Sequence, residues 1–165
     1  MKLNLKILTL FFLLTILSCK EKQNVKSEDN LNNNWEELEI STRTEKIIIS
    51  KFSDSAKYEQ NLNNIALKIL PEDGKTIEEE IVKKNINFTK SEKDSLAKYI
   101  YESVTEPKFT DILATEYAGS VSLKYNTGNV KLICEYNSVG DWSVVSDATK
   151  KIYKLISKKV EISKS

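Results

Sequence analysis

SVSLKYNTGNVKLICEYN, residues 120–137, decides what kind of domain this chain can form. Val121, Leu123 and Tyr125 alternate with polar residues, and so do Val130, Leu132, Cys134 and Tyr136 after the turn Asn126-Thr127-Gly128-Asn129. Alternation with a period of two is what a strand needs when one face is buried and the other is wet. Two such runs around an Asn/Gly turn predict an antiparallel hairpin, Ser120–Asn126 with Asn129–Asn137. Its apolar face needs a cover.

Two helices are expected to supply it. Thr89-Lys90-Ser91-Glu92 has the capping-box spacing, in which a hydroxyl and a carboxylate three residues apart satisfy each other's backbone N–H groups. Behind it Leu96, Ile100 and Val104 fall on one helical face, and Pro107 ends the run. Ser146-Asp147 opens the second helix, with Ala148, Ile152, Leu155 and Ile156 inward and lysines gathered at the carboxyl end, where the macrodipole favours them. Upstream, 35–42 (WEELEIST) and 45–52 (EKIIISKF) read as strands, and 77–88 ends as one. Residues 53–70 are ambiguous: Tyr58, Leu62, Ile65, Ala66 and Ile69 recur at helical spacing, whereas Ile65, Leu67 and Ile69 alternate. A helical turn followed by an extended end is expected there, before the turn Pro71-Glu72-Asp73-Gly74. The sum is an α+β domain over residues 35–165: two layers, a mainly antiparallel sheet with two amphipathic helices on one face.

The first eighteen residues are unlike the rest of the 165. Lys2 and Lys6 precede an apolar run, Ile7–Leu17, interrupted only by threonines. At about 1.5 Å per residue that run is roughly 16 Å long, half the ~30 Å hydrocarbon core of a bilayer. A basic start, a short apolar stretch and the small Ser18 predict a secretory signal peptide, residues 1–18. Ile16-Leu17-Ser18-Cys19 moreover resembles the lipobox of bacterial lipoproteins. That resemblance implies cleavage between Ser18 and Cys19 and a thioether-linked diacylglycerol on Cys19, with a further acyl chain, such as palmitate, on the new amino terminus. Two or three acyl chains hold a protein on a membrane stably, whereas one holds it marginally. Residues 20–34 (KEKQNVKSEDNLNNN) carry too little apolar surface to offset their ordering entropy and read as a flexible tether. The element order also loosely resembles small domains of unknown function in bacterial lipoproteins.

Loss of Lys2 and Lys6 from the 25 basic residues, against 24 acidic ones, leaves a formal charge near −1, which gives no reason to expect nucleic acid. With Cys19 lipidated, Cys134 has no partner in the chain, and a small hydrophobe in the core is its expected role. The chain has no histidine, so triads and metal sites built on imidazole are excluded.

Ser95-Leu96-Ala97-Lys98 matches the S-x-x-K of penicillin-binding proteins, but the accompanying K-T-G and S-D-N elements are missing. Gly74-Lys75-Thr76 lacks the glycine of a phosphate loop, since Ile69 stands in its place. Glu72, Asp73, Glu78, Glu79 and Glu80 do not follow calcium-loop spacing. Trp142 is expected in the core between the hairpin and the last helix, or else on an interaction surface with Lys150, Lys154 and Lys158. The expectation is therefore an exported, non-enzymatic binding module, without cofactor or metal. It is held to an envelope membrane, the outer membrane being the favoured address, by lipid on Cys19, and is free to engage a protein partner. The alternative is an inhibitor or immunity-type lipoprotein that blocks a toxin or hydrolase.

Overall fold

The computed structural model describes residues 33–62, 80–107 and 114–164. The expected signal peptide, Ser18, Cys19 and the tether up to residue 32 lie outside the described residues, as do the turn at 71–74 and the Gly74-Lys75-Thr76 stretch.

Strands β1 (Glu37–Thr42), β2 (Glu45–Ser50), β3 (Ser55–Asn61), β4 (Ile81–Asn87), β5 (Ala114–Thr127) and β6 (Val130–Val139) form one sheet in the order β4-β3-β2-β1-β5-β6. Every neighbouring pair is antiparallel. Helix α1 (Lys90–Thr105) falls between β4 and β5 in the chain, so β5 returns to the free side of β1. A 3-10 turn, Trp142–Val144, leads into α2 (Asp147–Ile156). The α+β class, with two helices covering one face of an antiparallel sheet, is what the alternation and the caps imply.

The register explains which face is covered. Leu38 and Ile40 of β1 stand opposite Ile49 and Ile47 on one side and opposite Tyr125 and Leu123 on the other. All six are buried and share one core with Ala56, Tyr58, Leu96, Ile100, Ile152 and Ile156. Fully burying an aliphatic side chain of this size stabilises by about 1.5–3 kcal/mol, so this shared face is the main source of the fold's stability. On the outer half of the hairpin the cover is thinner: Leu132 and Cys134 are half-buried and Val130 is 45% exposed.

Both caps form. The Glu92 N–H donates to Thr89 Oγ1 at 3.2 Å, and the Thr89 N–H donates to Glu92 Oε2 at 2.8 Å. At α2 the reciprocal partner of Ser146 is Thr149, with bonds of 3.0 and 2.9 Å. Leu96 and Ile100 are fully buried, as are Ala148, Ile152 and Ile156, while Val104 and Leu155 are half-buried at the core's rim.

One expectation fails. The segment after residue 53 opens as strand β3, not as a helical turn. Ala56 pairs with Ile86, and Tyr58 with Ile47 and Lys84, so ladders on both sides satisfy its backbone, which an isolated helical turn would leave partly unpaired. Of the residues at helical spacing, Tyr58 lies within the strand, and Ile65, Ala66 and Ile69, with the extended end expected there, lie outside the described residues. The strand expected over 45–52 likewise stops at Ser50, leaving Phe52 in the turn to β3, 82% exposed.

After α2 the chain turns back across the inner face of the sheet, and Val160 and Ile162 are buried. Trp142 Nε1–H donates to the Ser163 carbonyl at 2.7 Å, and Trp142 N–H to the Lys164 carbonyl at 2.9 Å. The Ser163 N–H donates to the buried Glu45 Oε2 at 3.2 Å, and the Tyr58 hydroxyl to the Glu161 carbonyl at 3.0 Å. Tyr153 meets the Trp142 ring edge-on at 5.5 Å. Trp142→Ala should therefore cost about 3–5 kcal/mol in urea unfolding, while Val144→Ala, two residues on and 51% exposed, should stay within about 0.5 kcal/mol. Equal losses would contradict this packing.

Candidate functional site on the open face of the sheet

The same alternation that buries one face leaves the other polar and, among the described residues, without a covering helix. Glu37, Glu39 and Ser41 of β1 point outward, flanked by Lys46 and Ile48 of β2 and by Ser122, Lys124 and Asn126 of β5. Glu39 lies at the middle. Lys124, directly across the ladder, places Nζ 2.6 Å from Oε1, Lys46 approaches Oε2 at 3.3 Å, and the Ser41 hydroxyl donates to Oε1 at 3.1 Å. Burial acts to raise the pKa of this carboxyl. The hydrogen bonds from Lys124 and Ser41 and the charges of both lysines outweigh it, so Glu39 is held below the usual carboxylate range. With its lone pairs taken by two ammonium groups and a hydroxyl, Glu39 is a fixed anion rather than an acid or base in waiting.

The pattern extends outward. Asn126 Nδ2 donates to Glu37 Oε1 at 3.3 Å, Lys83 meets Glu59 at 3.1 Å, and Ser122 reaches Glu135 at 3.5 Å. These are cross-strand polar pairs, each worth a fraction of a kcal/mol when exposed. Together they make a hydrogen-bonding surface interrupted by Ile48 and Ile133, the latter 48% exposed. Near the β4 edge an open depression of about 420 Å³ is lined by Lys57, Tyr58, Glu59, Lys83, Lys84 and Asn85. Lys84 stands 4.7 Å over the Tyr58 ring. Burial, with the nearby Glu45 and Glu161 charges, pushes the Tyr58 phenol up to about 12, so it serves as a donor and not as a base. Among the described residues no three Cys, Asp or Glu side chains converge to hold a metal ion.

The residues singled out in the sequence are scattered. Trp142 is fully buried and takes no part in any surface, which removes it from the interaction set and leaves its core role. Lys150, Lys154 and Lys158 are exposed on α2 and just beyond it. The basic end they suggested is partly neutralised: Lys150 lies 3.8 Å from Asp147, Lys159 pairs with Glu92 at 3.0 Å, and Lys151 caps the Tyr99 ring at 5.1 Å. Cys134 is half-buried, and burial pushes its thiol up, against the expectation for a reactive cysteine. Ser95 donates to the Ser91 carbonyl at 2.8 Å, so its hydroxyl is spent on its own helix and not on Lys98.

Sequence reasoning passed over Glu39, although its place in the alternation EEL-E-I of β1 marks an outward carboxylate; only the register shows that two lysines converge on it. Comparison with protein-family models, with curated proteins and with solved structures gave no match.

Because the folded-state pKa of Glu39 is depressed, its contribution is complete above the unfolded value and is lost as pH falls through the folded one. Glu39→Gln should cost roughly 1.5–3 kcal/mol at neutral pH. The gap from wild type should narrow steadily below about pH 4. A gap that does not change with pH would show that the charge is not what matters.

Proposed function

We propose that this chain is a lipid-anchored lipoprotein of a bacterial envelope membrane whose folded domain binds a partner rather than transforming a substrate. The observation that carries the reading is Ile16-Leu17-Ser18-Cys19, placed directly behind a basic start and an apolar run too short to span a bilayer. A cysteine at that point is a place of attachment. The charged, amide-rich residues 20–34 suit a spacer of about 20 Å root-mean-square length. The domain it carries begins at once, with Trp35 buried and β1 starting at Glu37.

A binding role is supported by the surface just described. A polar sheet face of alternating cross-strand charge pairs, with Ile48 and Ile133 set among them, offers direction through its polar groups and area through its apolar ones. Three of the perturbed ionisable groups are committed to internal contacts: Glu39 to Lys124 and Lys46, Glu92 to its cap and Lys159, Tyr58 to Glu161. A formal charge close to zero after cleavage favours a protein partner over a polyanion.

Two measurements test this. Cells given an alkyne fatty acid should label the wild-type protein and not Cys19→Ala, which should leave the membrane fraction; equal labelling of both overturns the anchor. A photo-crosslinking residue at Ser122, on the open face, should capture a partner from the envelope more strongly than one at Lys154 on α2. Capture by the α2 position alone would move the binding surface to the helix.

A further inference from the structure

β6 forms one edge of the sheet, and its backbone can be read out atom by atom. The Glu36 N–H donates to the Asn126 carbonyl at 2.8 Å, so the backbone groups of Asn126 point towards β1. Lys131 stands opposite Asn126 and is therefore in a non-hydrogen-bonded pair with β5. Its N–H and C=O point out of the sheet, and alternation gives the same direction to Ile133, Glu135 and Asn137. The register runs without a break from Val130 to Asn137. There Ser138, at φ 59, is the extra residue between the pairs Ser120–Asn137 and Gly119–Val139, a bulge that ends the straight edge.

This edge is complementary to itself. Antiparallel pairing about Ile133 sets Lys131 against Glu135 of a second copy, Glu135 against its Lys131, and Ile133 against Ile133 on the open face. Leu132 then faces Cys134 on the covered side. The outward-pointing residues meet one another in this register, so the pairs 131–135, 133–133 and 135–131 each exchange two backbone hydrogen bonds. Lys131 and Glu135 are both exposed, and Ile133 is 48% exposed. The opposite edge behaves differently. The Leu62 N–H donates to the Glu80 carbonyl at 3.0 Å, so Ile81, Lys83 and Asn85 point outward from β4. Self-pairing about Lys83 or Lys84 would set lysine against lysine, the usual protection of an edge strand.

We propose that β6 is a dimerisation edge, pairing antiparallel with β6 of a second copy about a two-fold axis at Ile133 and joining two six-stranded sheets into one. The inference does not depend on the lipid anchor, since it rests on backbone direction and on the charges of Lys131 and Glu135.

Light scattering of the detergent-solubilised full chain reads the result directly. The wild type should have a protein mass of two chains. Glu135→Lys should fall to one chain, because each new lysine faces Lys131. The double exchange Lys131→Glu/Glu135→Lys should recover two. A wild type of one chain up to millimolar concentration overturns the dimer, and a double exchange that stays at one chain overturns the register. In a Cys134→Ser background, Ile133→Cys should form an intermolecular disulfide on mild oxidation, since paired residues of this kind lie about 5.5 Å apart at Cα, within disulfide range. Val144→Cys, exposed elsewhere, should not. Crosslinking of both to the same extent overturns the proposed interface.

Discussion

The fold depends on β1 keeping one pleat face apolar. Ile40 is held between Ile47 of β2 and Leu123 of β5, and Leu38 between Ile49 and Tyr125, so this one strand locks the register of both halves of the sheet. A slip of one residue on either side would turn the apolar set to solvent and bring Glu39 into the core. That penalty makes the register specific. It also makes the two faces different in kind, one for cohesion and one for contact with the outside.

The covered face carries polar groups that need partners, and the end of the chain provides them. Glu45 is buried and receives the Ser163 N–H and the Thr42 hydroxyl. Trp142 and Tyr58 both donate to carbonyls of the same terminal segment, which places Val160 and Ile162 in the core. The cap of α2 is tied in as well: Tyr136 of β6 meets Ser146 and Cys134, and burial raises its phenol so that it remains protonated. The 3-10 turn, β2 and β3 are thus each hydrogen-bonded to the terminal segment. Where the polar groups of a core are satisfied from several elements at once, the elements fold as a unit.

Among the described residues, the open face and the β6 edge both present side chains to the outside. On the face, Glu39 is saturated by Lys46 and Lys124, so what an approaching surface meets is a rigid arrangement of paired charges with Ile48 and Ile133 between them. On the edge, Lys131 and Glu135 are exposed, and Ser122 reaches Glu135 at 3.5 Å. A binding face and a pairing edge are the roles proposed for these two surfaces.

By itself the sequence determined several features that depend on near neighbours in the chain. The period of two in 120–137 specified the hairpin, Thr89 with Glu92 and Ser146 with Asp147 specified the helix starts, and the antiparallel α+β class followed from them. The anchor proposed at Cys19 is likewise read locally, from a motif of four residues. The sequence did not determine β3, whose strand character comes from ladders with β2 and β4 rather than from its own pattern. It left Trp142 between core and surface, whereas the indole is buried and bonded to a segment twenty-one residues further on, and it did not bring Lys46 and Lys124 to Glu39. Those are contacts between residues far apart in the chain. Periodicity and capping are written in spacing, whereas convergence of distant side chains depends on strand order and register, and these exist only once the sheet has assembled.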